Sequence, residues 1–190
     1  PAYRIIHTYL TFDLADGTTR VTSRLTLERD PSTAPGTPLV LDGQALELVS
    51  VAVDDRRLEA NEIQVDAESL TLLDVPAACT VTVVTDIHPE TNTALEGLYK
   101  SGSMYCTQCE AEGFRRITYF LDRPDVMSVF TVTIEAELER YPVLLNVHGG
   151  PHTQYCETIF DEAQMQAAAG FVVVMCNPRG SSGREQSWGQ

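Results

Sequence analysis

Hydrophobic and polar positions alternate along most of the first 85 residues, as in strands that bury one face. One run covers Tyr3–Leu14 and a second covers Arg20–Arg29, on either side of the turn signal Asp16-Gly17, which predicts a β-hairpin. Strands with one apolar face must stack sheet on sheet, so the pattern predicts a mainly β fold, an antiparallel β-sandwich. Shorter runs continue it at Leu39–Leu41, Ala45–Val53, Ile63–Val65, Ser69–Leu73 and Cys79–Thr85.

Residues 86–129 interrupt this alternation with a long polar and aromatic segment, and strand alternation returns over Val129–Leu138. Long ordered loops on a β scaffold commonly carry function. Within the segment, Asp122 precedes Arg123 and Pro124, an order typical of a helix start. We therefore expect a functional loop that ends in a helix.

The pattern changes at Tyr141. Val143–Val147 and Phe171–Cys176 are continuous apolar runs, as in strands buried on both faces. Phe160–Ala169 between them has helical composition and is followed by Gly170, a helix stop. The sequence thus predicts a β-sandwich domain over residues 1–140 and a C-terminal strand–helix–strand segment with a parallel strand pair over residues 141–190.

Composition narrows the function classes. The chain has 190 residues and a net charge of −14, with −12 on residues 1–140 and −2 on residues 141–190. A surface this acidic repels nucleic acid and anionic membrane, so neither is expected as a partner. No apolar run approaches the roughly 20 residues of a membrane helix. The first residues carry neither Met nor a signal peptide, which favours a processed chain or fragment and a cytoplasmic location.

Five cysteines, an odd number, favour reduced thiols in such a location. Cys106-x-x-Cys109 has the spacing of a metal or redox pair. A zinc site would need a second pair of ligands, for which His88 is the nearby candidate, and a redox pair would open a helix after a strand. Neither context is present, so the favoured interpretation is a pair that flanks a loop and packs as small hydrophobes.

The long loop carries three distinctive strings: Asn-Thr-Ala-Leu-Glu-Gly-Leu-Tyr at 92–99, Cys-Thr-Gln-Cys-Glu-Ala-Glu-Gly-Phe-Arg at 106–115, and Tyr-Phe-Leu-Asp-Arg-Pro-Asp-Val at 119–126. Together they resemble the N-terminal domain of bacterial aminopeptidase N, a zinc metallopeptidase, over residues 3–145. The resemblance implies a β-sandwich whose projecting loop lines the substrate cleft. It also implies that Gln108 and Glu110 bind the free α-amino group of a peptide.

That role suits the residue types, because an ammonium offers three donors and amide and carboxylate oxygens accept them. Without the resemblance, Gln108 and Glu110 would be an ordinary exposed pair. The neighbouring Arg115 and Arg116 could also be ligand groups, although ion pairs with the many nearby acids are the favoured interpretation.

The metal site of that family resembles His-Glu-x-x-His with a later Glu, and this string does not occur here. The nearest approach, from His148 to His152, spans Gly-Gly-Pro, which cannot continue a helix that presents both imidazoles on one face. We therefore expect no catalytic zinc and no other cofactor in this chain.

The last fifty residues resemble another family. Tyr-Pro-Val-Leu-Leu-Asn-Val-His-Gly-Gly-Pro-His-Thr at 141–153 and Asn-Pro-Arg-Gly-Ser-Ser-Gly at 177–183 resemble the start of the α/β-hydrolase domain of acylaminoacyl and prolyl oligopeptidases. The resemblance implies that Gly149 or Gly150 contributes a backbone N–H to an oxyanion hole. The nucleophile elbow Gly-x-Ser-x-Gly is absent, so the serines of the later string are interpreted as turn residues.

The sequence therefore reads as a peptidase-derived chimera or fragment whose own enzymatic activity is left open. Three functions follow. The first is a substrate-recognition domain that binds peptides with a free N-terminus weakly and has no catalytic machinery. The second is a fragment of a serine peptidase. The third is a structural protein that associates with itself through apolar faces that its usual neighbours no longer cover.

Overall fold

The computed structural model describes residues 1–102, 104–136, 143–146 and 161–175, and the statements below concern these ranges. The chain divides into two compact units. The first unit consists of Pro1–Lys100 and Tyr105–Ala136. The second contains the last two strands and the helix between them, and each unit is described by itself.

The elements follow the predicted order closely. In chain order they are β1 (Tyr3–Leu14), β2 (Thr19–Arg29), β3 (Leu39–Asp42), β4 (Glu47–Val53), β5 (Arg56–Arg57), β6 (Ile63–Val65), β7 (Ser69–Leu72), β8 (Ala78–Ile87), β9 (Gly97–Ser101), β10 (Met104–Gln108), a 3₁₀ helix (Phe114–Arg116), β11 (Val129–Ala136), β12 (Val143–Asn146), α1 (Asp161–Ala168) and β13 (Val172–Met175).

The larger sheet has six strands in the order β11-β1-β2-β8-β4-β5. Strands β1 and β2 form the predicted hairpin, in register from Tyr3 opposite Arg29 to Leu14 opposite Thr19. The register of this pair shifts by one residue between Ile5 and His7, so Ile6 is a bulged residue, and it is exposed. On either side of the bulge, buried and exposed side chains still alternate. Strand β11 joins β1 in parallel, which is possible because most of the chain lies between the two strands.

The smaller sheet has three strands in the order β3-β7-β6, and β9 pairs with β10 as a separate ribbon. The two sheets share a core in which Leu25 and Val81 of the larger sheet and Leu41 and Leu70 of the smaller one are fully buried. Each such side chain contributes about 1.5–3 kcal/mol by leaving water. This shared core is the predicted β-sandwich.

A second apolar cluster lies where the long loop covers the sheet. It contains Leu10 and Phe12 of β1, together with Leu98 of β9 and Ile117 after the 3₁₀ helix. The loop is therefore held to the sandwich at both ends of the segment that carries Gln108 and Glu110.

The helix predicted to start at Asp122 is wrong. Residues 121–128 form no helix, and the helical turn lies earlier, at Phe114–Arg116. The pattern failed because the Asp122 carboxylate accepts hydrogen bonds from Arg115, seven residues before it, and not from the backbone that follows.

In the second unit, β12 and β13 pair in parallel and α1 lies between them along the chain. The predicted strand–helix–strand order is thus observed over the described residues of this segment. No helix in the described part of the chain is long and apolar enough to cross a membrane.

A histidine just after β8 joins three elements of the first unit. The carbonyl oxygen of Gly17 lies 3.0 Å from Nδ1 of His88, and Oε1 of Glu47 lies 3.0 Å from Nε2. Both of these partners only accept, so the two contacts together favour the imidazolium, which has both ring N–H groups; the hydroxyl of Thr18 also lies 3.4 Å from Nδ1. These contacts raise the pKa of His88. The hydrogen bond to Gly17 has the largest effect, followed by the hydrogen bond to Glu47, and the charge of nearby Asp86 adds to them.

We expect this contact to make stability depend on pH. A raised folded-state pKa contributes stability that is complete below the unfolded-state pKa of about 6.5 and is lost as pH rises through the folded value. The difference in unfolding free energy between wild type and His88→Ala, measured in urea, should therefore shrink above neutral pH. Because His88 and Glu47 are partly exposed, we expect this difference in unfolding free energy to stay below about 1 kcal/mol even at low pH. Glu47→Gln should weaken the same pH dependence, and a difference that grows with pH would contradict the assignment.

Candidate functional site

Both residues predicted to bind an α-amino group lie on one closed turn after β10. The backbone N–H of Glu110 donates to Oε1 of Gln108 at 3.2 Å. The backbone N–H of Gly113 donates to the carbonyl oxygen of Cys109 at 3.0 Å, and the Glu110–Ala111 peptide bond is cis. Gln108 is partly buried and Glu110 is exposed, so the turn places the carboxylate outward with the amide beside its base.

Two glycines allow the base of this turn to close. A Cβ on Gly113 would lie 2.6 Å from the carbonyl oxygen of Gln108, a separation that real Cβ atoms do not show. Gly97 has a φ of +70°, and a Cβ there would lie 2.7 Å from Cβ of Arg116. The close approach of backbone to backbone at these points therefore requires residues without side chains.

A buried ion pair anchors the turn to the sandwich. The backbone N–H and Nε of Arg115 donate to Oδ2 of Asp122 at 3.0 and 3.1 Å, and Nη2 donates to the carbonyl oxygen of Asp122 at 2.9 Å. The N–H of Asp122 donates in turn to Oδ2 of Asp42, the last residue of β3, at 3.0 Å. The chain of contacts therefore runs from the smaller sheet to the residues next to the candidate site.

The sequence interpretation missed this anchor. A separation of seven residues between Arg115 and Asp122, with no helix between them, has no recognisable local spacing. Asp42 is eighty positions before Asp122, at the end of a strand of the smaller sheet. Only the fold brings the three residues together.

The basic groups of the loop are already paired, as the sequence interpretation favours. Arg115 also lies 3.1 Å from Glu112, and Nε of Arg116 lies 3.1 Å from Oε2 of Glu96. Within the described ranges, no lysine or arginine forms an ion pair with Glu110. Its exposed carboxylate can therefore accept hydrogen bonds from a cation that comes from outside the chain.

Glu110 is exposed and does not line the groove found among the described residues of the first unit. A groove of about 290 Å³ is present in the first unit, but it is lined by His88, Asn92, Leu98 and Arg116 and their neighbours and includes neither Gln108 nor Glu110. Ligand sites with high affinity usually surround most of the ligand surface. The turn that carries Glu110 is instead open to solvent.

The cysteines of the loop are partly buried thiols. Burial raises the pKa of Cys106, and burial together with the charge of Asp122 raises the pKa of Cys109 to about 11. Both thiols are thus protonated at neutral pH, which does not suit a redox or metal-binding pair. His88, the candidate further ligand, is bonded instead to Gly17 and Glu47.

Across the described residues, no three His, Cys, Asp or Glu side chains come together as metal ligands. The remaining predicted positions lie outside the described residues. They are the turn glycines Gly149 and Gly150 and the histidines at 148 and 152.

Comparison with known proteins gives matches over most of the chain. A family model for the peptidase M1 N-terminal domain matches residues 6–164. Aminopeptidase N of Caulobacter vibrioides is 50% identical over 149 residues, which is 78% of this chain and 17% of that protein. This chain therefore spans about a sixth of the length of that curated relative.

A solved structure and a second curated protein extend the comparison. The crystal structure of Legionella pneumophila aminopeptidase A in complex with aspartic acid superposes with a TM-score of 0.65 at 32% identity, covering 70% of this chain and 16% of that one. The uncharacterized peptidase YuxL of Bacillus subtilis is 54% identical over 48 residues, which is 25% of this chain and 7% of that protein.

The anchor yields a test of stability. We expect Asp122→Ala to lower the unfolding free energy by about 3 kcal/mol, because it removes the acceptor of the Arg115 backbone N–H and Nε and leaves the guanidinium only the exposed carboxylate of Glu112. The side chains of Arg115 and Asp122 are only 16% and 10% exposed. The matched control is Asp125→Ala, whose ion pair with Arg123 is 53% and 51% exposed and should leave the urea midpoint close to wild type. Equal midpoints for the two variants would contradict the role of the anchor.

Proposed function

The chain belongs to the peptidase M1 N-terminal domain family, and on that premise we propose that its β-sandwich binds the free α-amino group of a peptide through Gln108 and Glu110, without catalytic machinery of its own. The observation that carries the proposal is the unpaired carboxylate of Glu110 on a turn whose arginines are already paired. An ammonium is the ligand for which that arrangement is complementary.

The turn supports selectivity more than affinity. Glu110 and Glu112 give it negative charge, which disfavours anionic groups, and Gln108 offers an amide beside the carboxylate. The amide oxygen already accepts the N–H of Glu110, so Gln108 both supports the turn and stands next to the ligand position. One exposed ion pair and a few hydrogen bonds correspond to a dissociation constant in the millimolar range.

In the longer relatives this domain is a small part of the chain. We propose that the same turn forms one wall of a peptide site there, with the metal chemistry supplied by other segments. The recognition step would then depend on Glu110, while hydrolysis would require residues that this chain does not contain.

The proposal predicts selective binding of free amino termini. We expect a tripeptide amide with a free amino group to shift the amide resonances of Ala111 and Gly113 in an NMR titration at a pH of about 6.5, where the amino group is protonated. The N-acetylated peptide has no charge at that position and should shift neither. Glu110→Gln should weaken binding of the free peptide by about three- to tenfold.

Glu112→Gln is the matched control, because it also removes one negative charge, two residues after Glu110. The carboxylate of Glu112 is already paired with Arg115. It should change the dissociation constant much less than Glu110→Gln. Equal shifts with the free and acetylated peptides, or equal losses in the two variants, would reject the assignment of Glu110.

A second candidate concerns the C-terminal segment. We propose that residues 141–190 derive from the opening of an α/β-hydrolase domain, in which Gly149 or Gly150 would supply an oxyanion-hole N–H. The 54% identity with the peptidase YuxL over 48 residues supports it, and so does the parallel pair of β12 and β13 with α1 between them. On this proposal the chain originated as a chimera that joins segments of two peptidases.

This candidate predicts a chain without an active serine. A fluorophosphonate probe should not label the purified protein, because no Gly-x-Ser-x-Gly elbow is present, and stoichiometric labelling at Ser181 or Ser182 would contradict that expectation. The chimeric origin requires one transcript that encodes both segments. Single-molecule reads of cDNA across codons 130–150 test it, and reads that never cross the junction would overturn it.

A further inference from the structure

Strand β11 forms an edge of the larger sheet. Its eight residues pair with β1 on one flank, and no strand of the described ranges pairs with the other. Large apolar side chains are exposed along it, including Val129, Phe130 and Val132. Unpaired backbone groups beside exposed apolar side chains are what a further strand would use.

The exposure is unusual because part of it lies on the core face of the sheet. Val132 is aligned with Leu10, and Leu10 is 3% exposed while Val132 is 52% exposed. Aligned residues of neighbouring strands point to the same face. The layer that covers Leu10 therefore does not extend over Val132.

Phe130 marks where that layer ends. Its ring centroid lies 5.7 Å from that of Phe114 and 5.9 Å from that of Phe120, yet almost half of the side chain is exposed. Val132 and Ile134 continue the same face, where Val132 is exposed and Ile134 is partly buried against the second apolar cluster. These three residues, Phe130, Val132 and Ile134, are called the β11 stripe below.

The usual protections of an edge strand are absent from β11. The segment Val-Phe-Thr-Val-Thr-Ile-Glu-Ala contains no proline and no lysine or arginine, its pairing with β1 has no bulge, and Glu135 is its single charge. The opposite edge of the same sheet differs, because β5 has only two residues and both are arginines. Among the described residues, one edge is therefore blunted and the other has no strand beside it.

We propose that β11 is the interface of a two-fold symmetric dimer, in which β11 of a second copy pairs antiparallel with Val132 opposite the Val132 of that copy. In this register Phe130 lies opposite Ile134 and Thr131 opposite Thr133. The β11 stripe of one chain then continues into that of the other, and the two larger sheets become one. An aromatic residue beside a β-branched one and Thr beside Thr are favourable cross-strand pairs.

The self-complementary register argues for a second copy as the occupant, and the single charge of β11 does not oppose it. Centring the two-fold on Val132 places each Glu135 opposite a Val129 and separates the two carboxylates by six residues, about 20 Å along the strand. That distance exceeds the Debye length of about 8–10 Å at physiological salt, so the interface contains no like-charge contact. The net charge of −14 on each copy opposes association at longer range, so the dimer should be weak and should strengthen with added salt.

Sedimentation equilibrium of the full 190-residue chain tests the dimer. We expect a reversible monomer–dimer equilibrium whose dissociation constant decreases as NaCl is raised. Val132→Lys should raise the dissociation constant at least about tenfold, because it places a charge in the centre of an apolar interface. Val65→Lys is the matched control, since Val65 is 50% exposed on the edge strand β6 of the other sheet and its substitution should leave the equilibrium unchanged.

A disulfide test reads the register directly. Val132→Cys would face its own copy across the two-fold at a separation that a disulfide can bridge. Thr131→Cys, one position away and equally accessible, would be too far from its own copy. Under mild oxidation we expect a covalent dimer for Val132→Cys and none beyond the wild-type level for Thr131→Cys, with the native cysteines present in all three proteins.

Three outcomes would overturn the proposal. The first is a wild-type chain that remains monomeric up to millimolar concentration. The second is a dimer that Val132→Lys leaves intact or that Val65→Lys disrupts equally. The third is equal cross-linking at positions 131 and 132. Monomer throughout, with the β11 amides protected in hydrogen exchange, would assign the edge to a segment of the same chain.

Discussion

The fold of the first unit depends on the need of two half-apolar sheets to cover each other. Strands β2 and β8 place fully buried side chains on one face of the larger sheet, and β3 and β7 do the same on the smaller sheet. Neither sheet would be stable with that face in water. Once they are stacked, the long loop has to leave one sheet, pass the other and return. The bridge between Asp42 and Phe120 fixes the place where it passes the smaller sheet.

The path of the loop past the smaller sheet determines which of its charged side chains are paired. A carboxylate as buried as Asp122 is tolerated only because Arg115 and the backbone satisfy it, and the same contacts remove Arg115 from the set of free cations. Arg116 is removed in the same way by Glu96. The result is a turn held to the sandwich through its arginines while Glu110 remains unpaired. In the function proposed for it, such a turn would favour a cation, because the arginines beside it are already bonded to other carboxylates.

The sequence predicts the strands, which follow a periodic pattern, and misses the contacts between residues that only the fold brings together. Alternation at Tyr3–Leu14 and Arg20–Arg29 identified the hairpin, and the apolar run at Val143 identified a parallel strand, because both patterns follow from which face is buried. Asp122 shows the limit, since its local context matches a helix cap and its actual partner is reached only through the folded loop. Gln108 and Glu110 came from resemblance, and their closeness follows from the short turn that joins them. The sequence indicated that Arg115 would form an ion pair with an acidic residue, but it did not indicate which one.

Strand β11 shows that periodicity and burial are separate properties. Its alternation is as regular as that of β1, and each residue is aligned with one on β1, yet Leu10 is buried and Val132 is not. Alternation reports which side chains share a face, while burial requires a second layer above that face. In the described part of the chain, the smaller sheet has three strands against six in the larger one, and Val132 on the larger sheet is exposed. Val132 lies on an edge strand that has no proline and carries its single charge near its end. An apolar face and an unpaired edge at the same strand can both be satisfied by one added strand, because a strand that pairs with the edge also extends the apolar surface on which side chains pack.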